Sequence, residues 1–278
     1  VRVASVGHVE WIEFARVERM PAAGEIVHVL DSFTAPGGGG AVTAVQLARL
    51  AGGATFLTAL GDDELGHRAL AELEALGLDV HVAWRDEPQR RAFVHLEQAS
   101  GERTITVIGS RLGPRGDDPL PWGLLADVDA VYFTAGDPGA VRAARAAPTL
   151  VASARALEPL RAAAAELDSL VASGSDSGER YERGGLEPEP RVVVRTAGAD
   201  GGRWEGADGA GGEYAPAAVP GPVADAYGCG DSFAGGLTYG LGAGLDIDAA
   251  LALGARCGAT CLTGRGPYGR QLTAEELR

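Results

Sequence analysis

Residues 225–236 read Asp225-Ala226-Tyr227-Gly228-Cys229-Gly230-Asp231-Ser232-Phe233-Ala234-Gly235-Gly236. Gly228 and Gly230 let the chain bend sharply. The apolar positions Phe233, Leu237 and Leu241 that follow share one helical face. The bend therefore delivers a helix N-terminus, with bare N–H groups, beside an aspartate. Such donors suit an anion, a phosphoryl group in transit among them. Asp231 at the positive helix end is expected to stay ionised. It can then take the proton of a hydroxyl attacking phosphorus, while the N–H groups neutralise charge gathering on the phosphoryl oxygens. The same Gly-x-Gly-Asp pattern also fits an aspartate that only caps a helix after a tight turn, and alone it does not separate the two.

Outward from this stretch, short apolar runs alternate with helical patterns. Strands are expected at Val1–Val6, Ala54–Leu57, Val128–Phe133, Thr149–Ala152, Ser169–Ala172 and Arg191–Arg195. Ala41, Ala44, Val45 and Ala48 share one helical face, as do Leu65, Ala69, Leu73 and Leu76, with Asp62 or Asp63 as N-cap of the second helix. This alternation predicts an α/β fold: a doubly wound, mostly parallel sheet flanked by helices, in a single domain over residues 1–278. Two β-rich pieces break the rhythm. Arg91–Glu97 and Arg103–Ile108 flank Ser100-Gly101-Glu102 as a hairpin, and Trp11–Phe33 turns at Pro21-Ala22-Ala23-Gly24. Together, at about residues 8–34 and 88–110, they are expected to form a small β-lid. Residues 174–190 read as a loop with one short helix, and 198–212 as a second hairpin.

Composition narrows the function. The formal net charge is −14, which argues against a nucleic-acid partner, since such binders carry a basic face. No apolar run approaches 18 residues, and Val1–Val6 reads as a strand rather than a signal peptide, so no membrane partner is expected. The sequence contains neither lysine nor asparagine. A P-loop of the usual kind needs its lysine, so phosphate must be met by backbone N–H groups. Cys229, Cys257 and Cys261 show no zinc spacing and read as reduced thiols of a cytoplasmic protein.

Residues 225–231 resemble the second signature of the ribokinase-like (PfkB) carbohydrate kinases, Asp-Thr-x-Gly-Ala-Gly-Asp, with Ala226 for the Thr and Cys229 for the Ala. Pro36-Gly37-Gly38-Gly39-Gly40-Ala41 and Leu60-Gly61-Asp62-Asp63-Glu64-Leu65-Gly66 are similar to the family's first signature, and Gly101-Glu102-Arg103-Thr104 to its lid strand. The order of these pieces covers nearly the whole chain. The resemblance implies ATP-dependent phosphotransfer to an alcohol group of a small sugar or sugar-like substrate. In that reading Asp231 is the catalytic base, and Gly228, Cys229 and Gly230 form the anion hole. Asp225 organises the loop and a nearby cation site, which allows for a monovalent cation. Thr196, Gly198 and Gly201 meet the ATP phosphates. The resemblance further implies Mg²⁺ and a homodimer paired through the lids.

Departures from the pattern matter as much. Where the family has Asn-x-x-Glu near its metal, this chain has Ser173-Gly174-Ser175-Asp176, with Glu179 three residues on. Asp176 and Glu179 are therefore the metal candidates, with a solvated loop charge as the other reading of Glu179. The substrate side is altered too. An expected Asp falls at Ile12, between Glu10 and Glu13, and an expected Asn at Val42. His8, Glu10, Gly38, Gly39 and Val42 are the substrate candidates. Apolar Val42 and Ile12, with Trp11 nearby, also fit a nucleoside acceptor. The eroded positions allow a non-catalytic ligand-binding protein on the same fold, although such a protein has no need of a base.

Overall fold

The computed structural model describes residues 1–98 and 103–277; the expected hairpin tip Ser100-Gly101-Glu102 lies outside them. Along the chain come β1 (Val3–His8), β2 (Glu10–Val17), β3 (Asp31–Gly37), α1 (Gly39–Ala51), β4 (Ala54–Gly61), α2 (Glu64–Ala75) and β5 (Leu78–Arg85). Then follow β6 (Arg91–Glu97), β7 (Arg103–Ile108), β8 (Ala130–Phe133), α3 (Pro138–Ala144), β9 (Thr149–Ser153), α4 (Leu157–Ala163) and β10 (Ser169–Ser173). The last third holds β11 (Val192–Thr196), β12 (Gly202–Gly206), β13 (Gly211–Tyr214), α5 (Cys229–Gly242) and α6 (Ile247–Cys261).

Nine strands make the main sheet, in the order β13-β12-β11-β10-β9-β8-β1-β4-β5. From β11 to β5 every pairing is parallel; β12 and β13 add an antiparallel edge. Parallel neighbours require crossovers, so helices cover both faces. Side-chain alternation sorts the two cores. Leu57, Val131, Phe133 and Leu150 face α3 and α4, with Ala140, Val141 and Leu160. Phe56, Tyr132, Val151 and Val171 face the other way, against α1, α2, α5 and α6. No helix among the described residues is long and apolar enough to cross a membrane.

A second sheet runs β3-β2-β6-β7, with β2 and β6 parallel and the outer pairs antiparallel. Ile12, Phe14, Val94 and Leu96 point inward and pack with Val42 and Tyr227. Its limits differ from the expected 8–34 segment. His8 belongs to β1 of the main sheet, and β3 runs on to Gly37, because Glu10 pairs with Gly37 and carries the ladder past residue 34. Strand β5 was not anticipated. Leu78-Asp79-Val80-His81-Val82-Ala83-Trp84-Arg85 mixes charged and apolar residues, as an edge strand with one solvated margin does.

Of the two cap candidates before α2, Asp63 holds the position. Its Oδ1 accepts from the Gly66 N–H at 2.9 Å and its Oδ2 from the Gln89 N–H at 2.9 Å. Asp62 instead pairs with His67 on the surface. Asp63→Ala removes a cap and strands two N–H donors, so it should lower unfolding stability by about 1–3 kcal/mol. Asp62→Ala should stay within about 0.5 kcal/mol. Urea titration checks both, and equal effects would contradict the assignment.

Candidate active site

Parallel strands leave their carboxyl ends along one edge, and ligands of doubly wound sheets bind there. Here that edge carries a cleft of about 390 Å³. His8 enters it from β1, Thr134 from just beyond β8, Ser153 from β9 and Arg155 from just beyond it, Ser173 from β10 and Thr196 from β11. Glu10, Arg90, Arg103, Ile105 and Val107 come from the small sheet and its flanks. Gly38, Gly39, Gly228, Gly230 and Asp231 add to the wall, as do Arg111, Asp176 and Glu179.

Two helix N-termini meet in this cleft. Gly40, in the first turn of α1, lies against Gly7 of β1; a Cβ on Gly40 would stand 2.8 Å from the Gly7 backbone, so both positions require glycine. Gly228 precedes α5 at φ +83°, and a Cβ there would also press on Val42 at 3.0 Å. The Thr43 hydroxyl of α1 donates to the Asp231 carbonyl of α5 at 3.0 Å. The Asp231 carboxylate sits directly over Gly39: a Cβ on Gly39 would be 2.9 Å from Oδ1. Its residue is half-buried because it opens on the cleft, yet the walls strip most of its hydration. Burial, with Glu179 adding repulsion, pushes its pKa up to about 7; Arg103 and Arg155 pull the other way. The expectation of a carboxylate held ionised by the helix end is thus corrected, because burial disfavours its charged form.

The turn before α5 is fastened from beneath. Asp225 is fully buried, and its two oxygens accept from the N–H groups of Tyr227 at 2.9 Å and Gly266 at 2.6 Å. It lies outside the cleft wall and fastens the loop. The Tyr227 hydroxyl accepts from the Gly38 N–H at 3.0 Å, and its ring meets Phe14 edge-on. Cys229, half-buried, starts α5.

On the other flank, Asp176 and Glu179 both enter the cleft, and both are paired with Arg155; the Glu179 contact is 2.6 Å to Nε. Glu179 is therefore no free loop charge. No cluster of three or more metal-ligating side chains occurs among the described residues. Thr196 lines the cleft and also a neighbouring cavity of about 500 Å³ bounded by Ala197, Asp200, Gly202 and Tyr214. Gly198 and Gly201 shape the turn between these walls without lining either. At Gly201, φ is +79° and a Cβ would lie 2.1 Å from the Tyr214 carbonyl oxygen.

The substrate candidates divide. His8, Glu10, Gly38 and Gly39 line the cleft. Val42 does not: it is fully buried beneath the Gly228 turn, in the core with Ile12. Ile12 is equally buried, and Trp11, 5% exposed, packs in the core with the Arg68 guanidinium over its ring. The apolar wall expected for a nucleoside base is therefore not built from these three. Burial, and after it Arg111, Arg90 and Arg155, holds the His8 pKa well below the ordinary histidine range, so His8 is neutral. Sequence reasoning missed Arg90, Arg111, Thr134 and Arg155. Position just beyond the carboxyl end of an expected strand was the usable signal for Thr134 and Arg155.

The sequence matches the profile of the pfkB family carbohydrate kinases over residues 2–156 and 159–273. It is 26% identical over 276 residues to the ATP-dependent ribose-1-phosphate kinase of Halopiger xanaduensis, covering 93% of this chain and 91% of that one. The fold is that of the Thermotoga maritima ribokinase (TM-score 0.79, 18% identity, 100% and 98% of the two chains). It also matches the Arabidopsis thaliana ribokinase complexed with ribose and ATP (TM-score 0.76, 18% identity, 99% and 97%).

Gly39→Ala tests the closeness of the two helix ends. Alanine suits a helix start but would drive the Asp231 carboxylate aside, so kcat/KM for ATP-dependent sugar phosphorylation should fall on the order of 10²-fold. The melting temperature should stay near wild type. Unchanged kinetics would show that the carboxylate position has no part in turnover.

Proposed function

The chain belongs to the pfkB family of carbohydrate kinases and is an ATP-dependent kinase acting on a sugar substrate; from that premise we propose that Asp231 is its catalytic base. The observation that carries this is a carboxylate with a near-neutral pKa, enclosed where the N-termini of α1 and α5 meet. A general base works best with its pKa near the working pH. The acceptor hydroxyl loses its proton to Asp231 as its oxygen bonds the γ-phosphorus of ATP and the bond to the β-phosphate oxygen breaks. Backbone N–H groups of Gly228, Cys229 and Gly230 stabilise charge on the equatorial oxygens. Thr196 and the cavity beside it suit the nucleotide, with Gly198 and Gly201 shaping the turn that approaches it.

Asp176 and Glu179 offer hard oxygen ligands in the cleft. Two carboxylates suit a hydrated Mg²⁺ that arrives with ATP and keeps several waters, and they do not suit an all-protein cage. When bound there, such an ion would supply positive charge that balances the transferring phosphoryl group. The small sheet serves as a lid that excludes water: the Arg103 guanidinium already reaches from β7 to the Ala226 carbonyl at 3.0 Å. Edge strand β7, with Ile105, Val107 and Ile108 all more than one-third exposed, supports a homodimer joined through the lids. Use of ATP and the unpaired cysteines fit a cytoplasmic setting.

Asp231→Asn should lower kcat about 10²–10⁴-fold with the fold kept; near-normal turnover would refute the base assignment. A raised pKa means that the carboxylate is protonated, and useless as a base, below about pH 7. Wild-type kcat/KM should therefore fall about tenfold per pH unit below that point and level above it. A profile flat from pH 5 to 8 would contradict the role.

A further inference from the structure

Three thiols lie where the start of α5 meets the last turns of α6: Cys229, Cys257 and Cys261. The kinase reading uses only the backbone N–H of Cys229 and none of the sulfurs.

Glycines set the register of the two helices. A Cβ on Gly240 would stand 3.0 Å from the Ala250 Cα, and one on Gly236 2.9 Å from the Gly254 Cα. Four residues back along α5, from Gly240 to Gly236, are thus matched by four onward along α6, from Ala250 to Gly254. The helices run antiparallel with their backbones nearly touching. Gly236 back to Cys229, and Gly254 on to Cys261, is seven residues in each case, about two turns. The register therefore sets Cys229 and Cys261 face to face. Close to that point Gly258 still meets Cys229: a Cβ on Gly258 would lie 3.1 Å from the Cys229 carbonyl oxygen. Cys257 faces Gly236 instead, its Sγ 2.7 Å from a Cβ placed there.

The Cys261 thiol donates to the Tyr227 carbonyl at 3.5 Å, and a hydrogen bond joins the sulfurs of Cys229 and Cys261. That bond lowers the Cys261 pKa; burial opposes it and a hydrogen bond with Ser232 adds to it. Cys261 is fully buried, whereas Cys229 is half-buried beside exposed Gly230. One sulfur is open to a small reagent, and the other waits behind it.

Resting on the kinase reading above, we infer that Cys229 and Cys261 form a modification site, where a low-mass disulfide closes a Cys229–Cys261 bond and disables the anion hole. The Cys229 thiolate attacks one sulfur of the reagent and expels the other as a thiol. The Cys261 thiolate then attacks the Cys229 sulfur of the mixed disulfide and expels the second thiol. Two electrons and two protons pass from the protein to the reagent, which leaves as two thiols. A disulfide holds its sulfurs about 2.0 Å apart, closer than any hydrogen bond does. The new bond thus draws the first residue of α5 toward α6, and the Cys229 N–H and Asp231 move with it. A shift on the order of 1 Å among reacting groups costs as much as about 10²-fold in rate.

The test treats wild type, Cys257→Ala and Cys261→Ala with oxidised glutathione and digests each without reduction for peptide mass analysis. ATP consumption with ribose or ribose 1-phosphate is measured before oxidation, after it, and after dithiothreitol. Wild type and Cys257→Ala should yield a linked Cys229–Cys261 peptide with no glutathione retained. Their kcat should fall about tenfold or more, and dithiothreitol should restore it. Cys261→Ala should start with wild-type kcat and keep one glutathione on Cys229. Should that variant not fold, wild type and Cys257→Ala carry the test alone. Absence of the linked peptide, a link through Cys257, full turnover by the linked protein, or folded Cys261→Ala free of adduct overturns the inference. Failure of the kinase reading shows separately: reduced protein then consumes no ATP with either acceptor, while the linked peptide is still scored.

Discussion

The constraint on which the rest depends is the close approach of two helix N-termini around one carboxylate. α1 reaches the cleft because Gly40 lies flat against Gly7, and α5 reaches it because Gly228 turns with positive φ over Val42. Neither contact leaves room for a side chain. The Thr43 hydroxyl and the Tyr227 hydroxyl then lock the two helix starts together. An aspartate enclosed there loses hydration, and its pKa rises toward neutrality. Folding energy from the two cores thus maintains a carboxylate that free solvent would leave acidic.

The same enclosure explains the unusual charge arrangement. A chain with net charge −14 still brings four arginines into one cleft. Each carboxylate there is either paired with a guanidinium or, like Asp231, pushed up in pKa. Arg155 pairs with both Asp176 and Glu179 and so joins two elements of the cleft wall through one side chain.

Much of this was legible in the amino-acid order. Uniform apolar runs such as Thr149–Ala152 and Ser169–Ala172 mark strands buried on both faces, and the glycine stretch before Asp231 marks the start of α5. What was not legible depends on tertiary contact. Strand β5 alternates like a solvated edge and escaped notice. Val42, Ile12 and Trp11 read as a pocket wall, but packing of the small sheet onto α1 buries them. Arg90 and Arg111 come from loops flanking the small sheet, and no local pattern tells that they meet Arg155. The Asp231 pKa was misjudged because sequence reveals the helix end but not the depth of the cleft.

The most direct measurement is a carbon-13 NMR titration of the aspartate carboxyls, with Asp231 assigned by comparison with Asp231→Asn. The account predicts a midpoint near pH 7 for that carboxyl. A midpoint near 4, the ordinary carboxylate value, would mean that the two helix ends do not enclose it, and the central claim would fail.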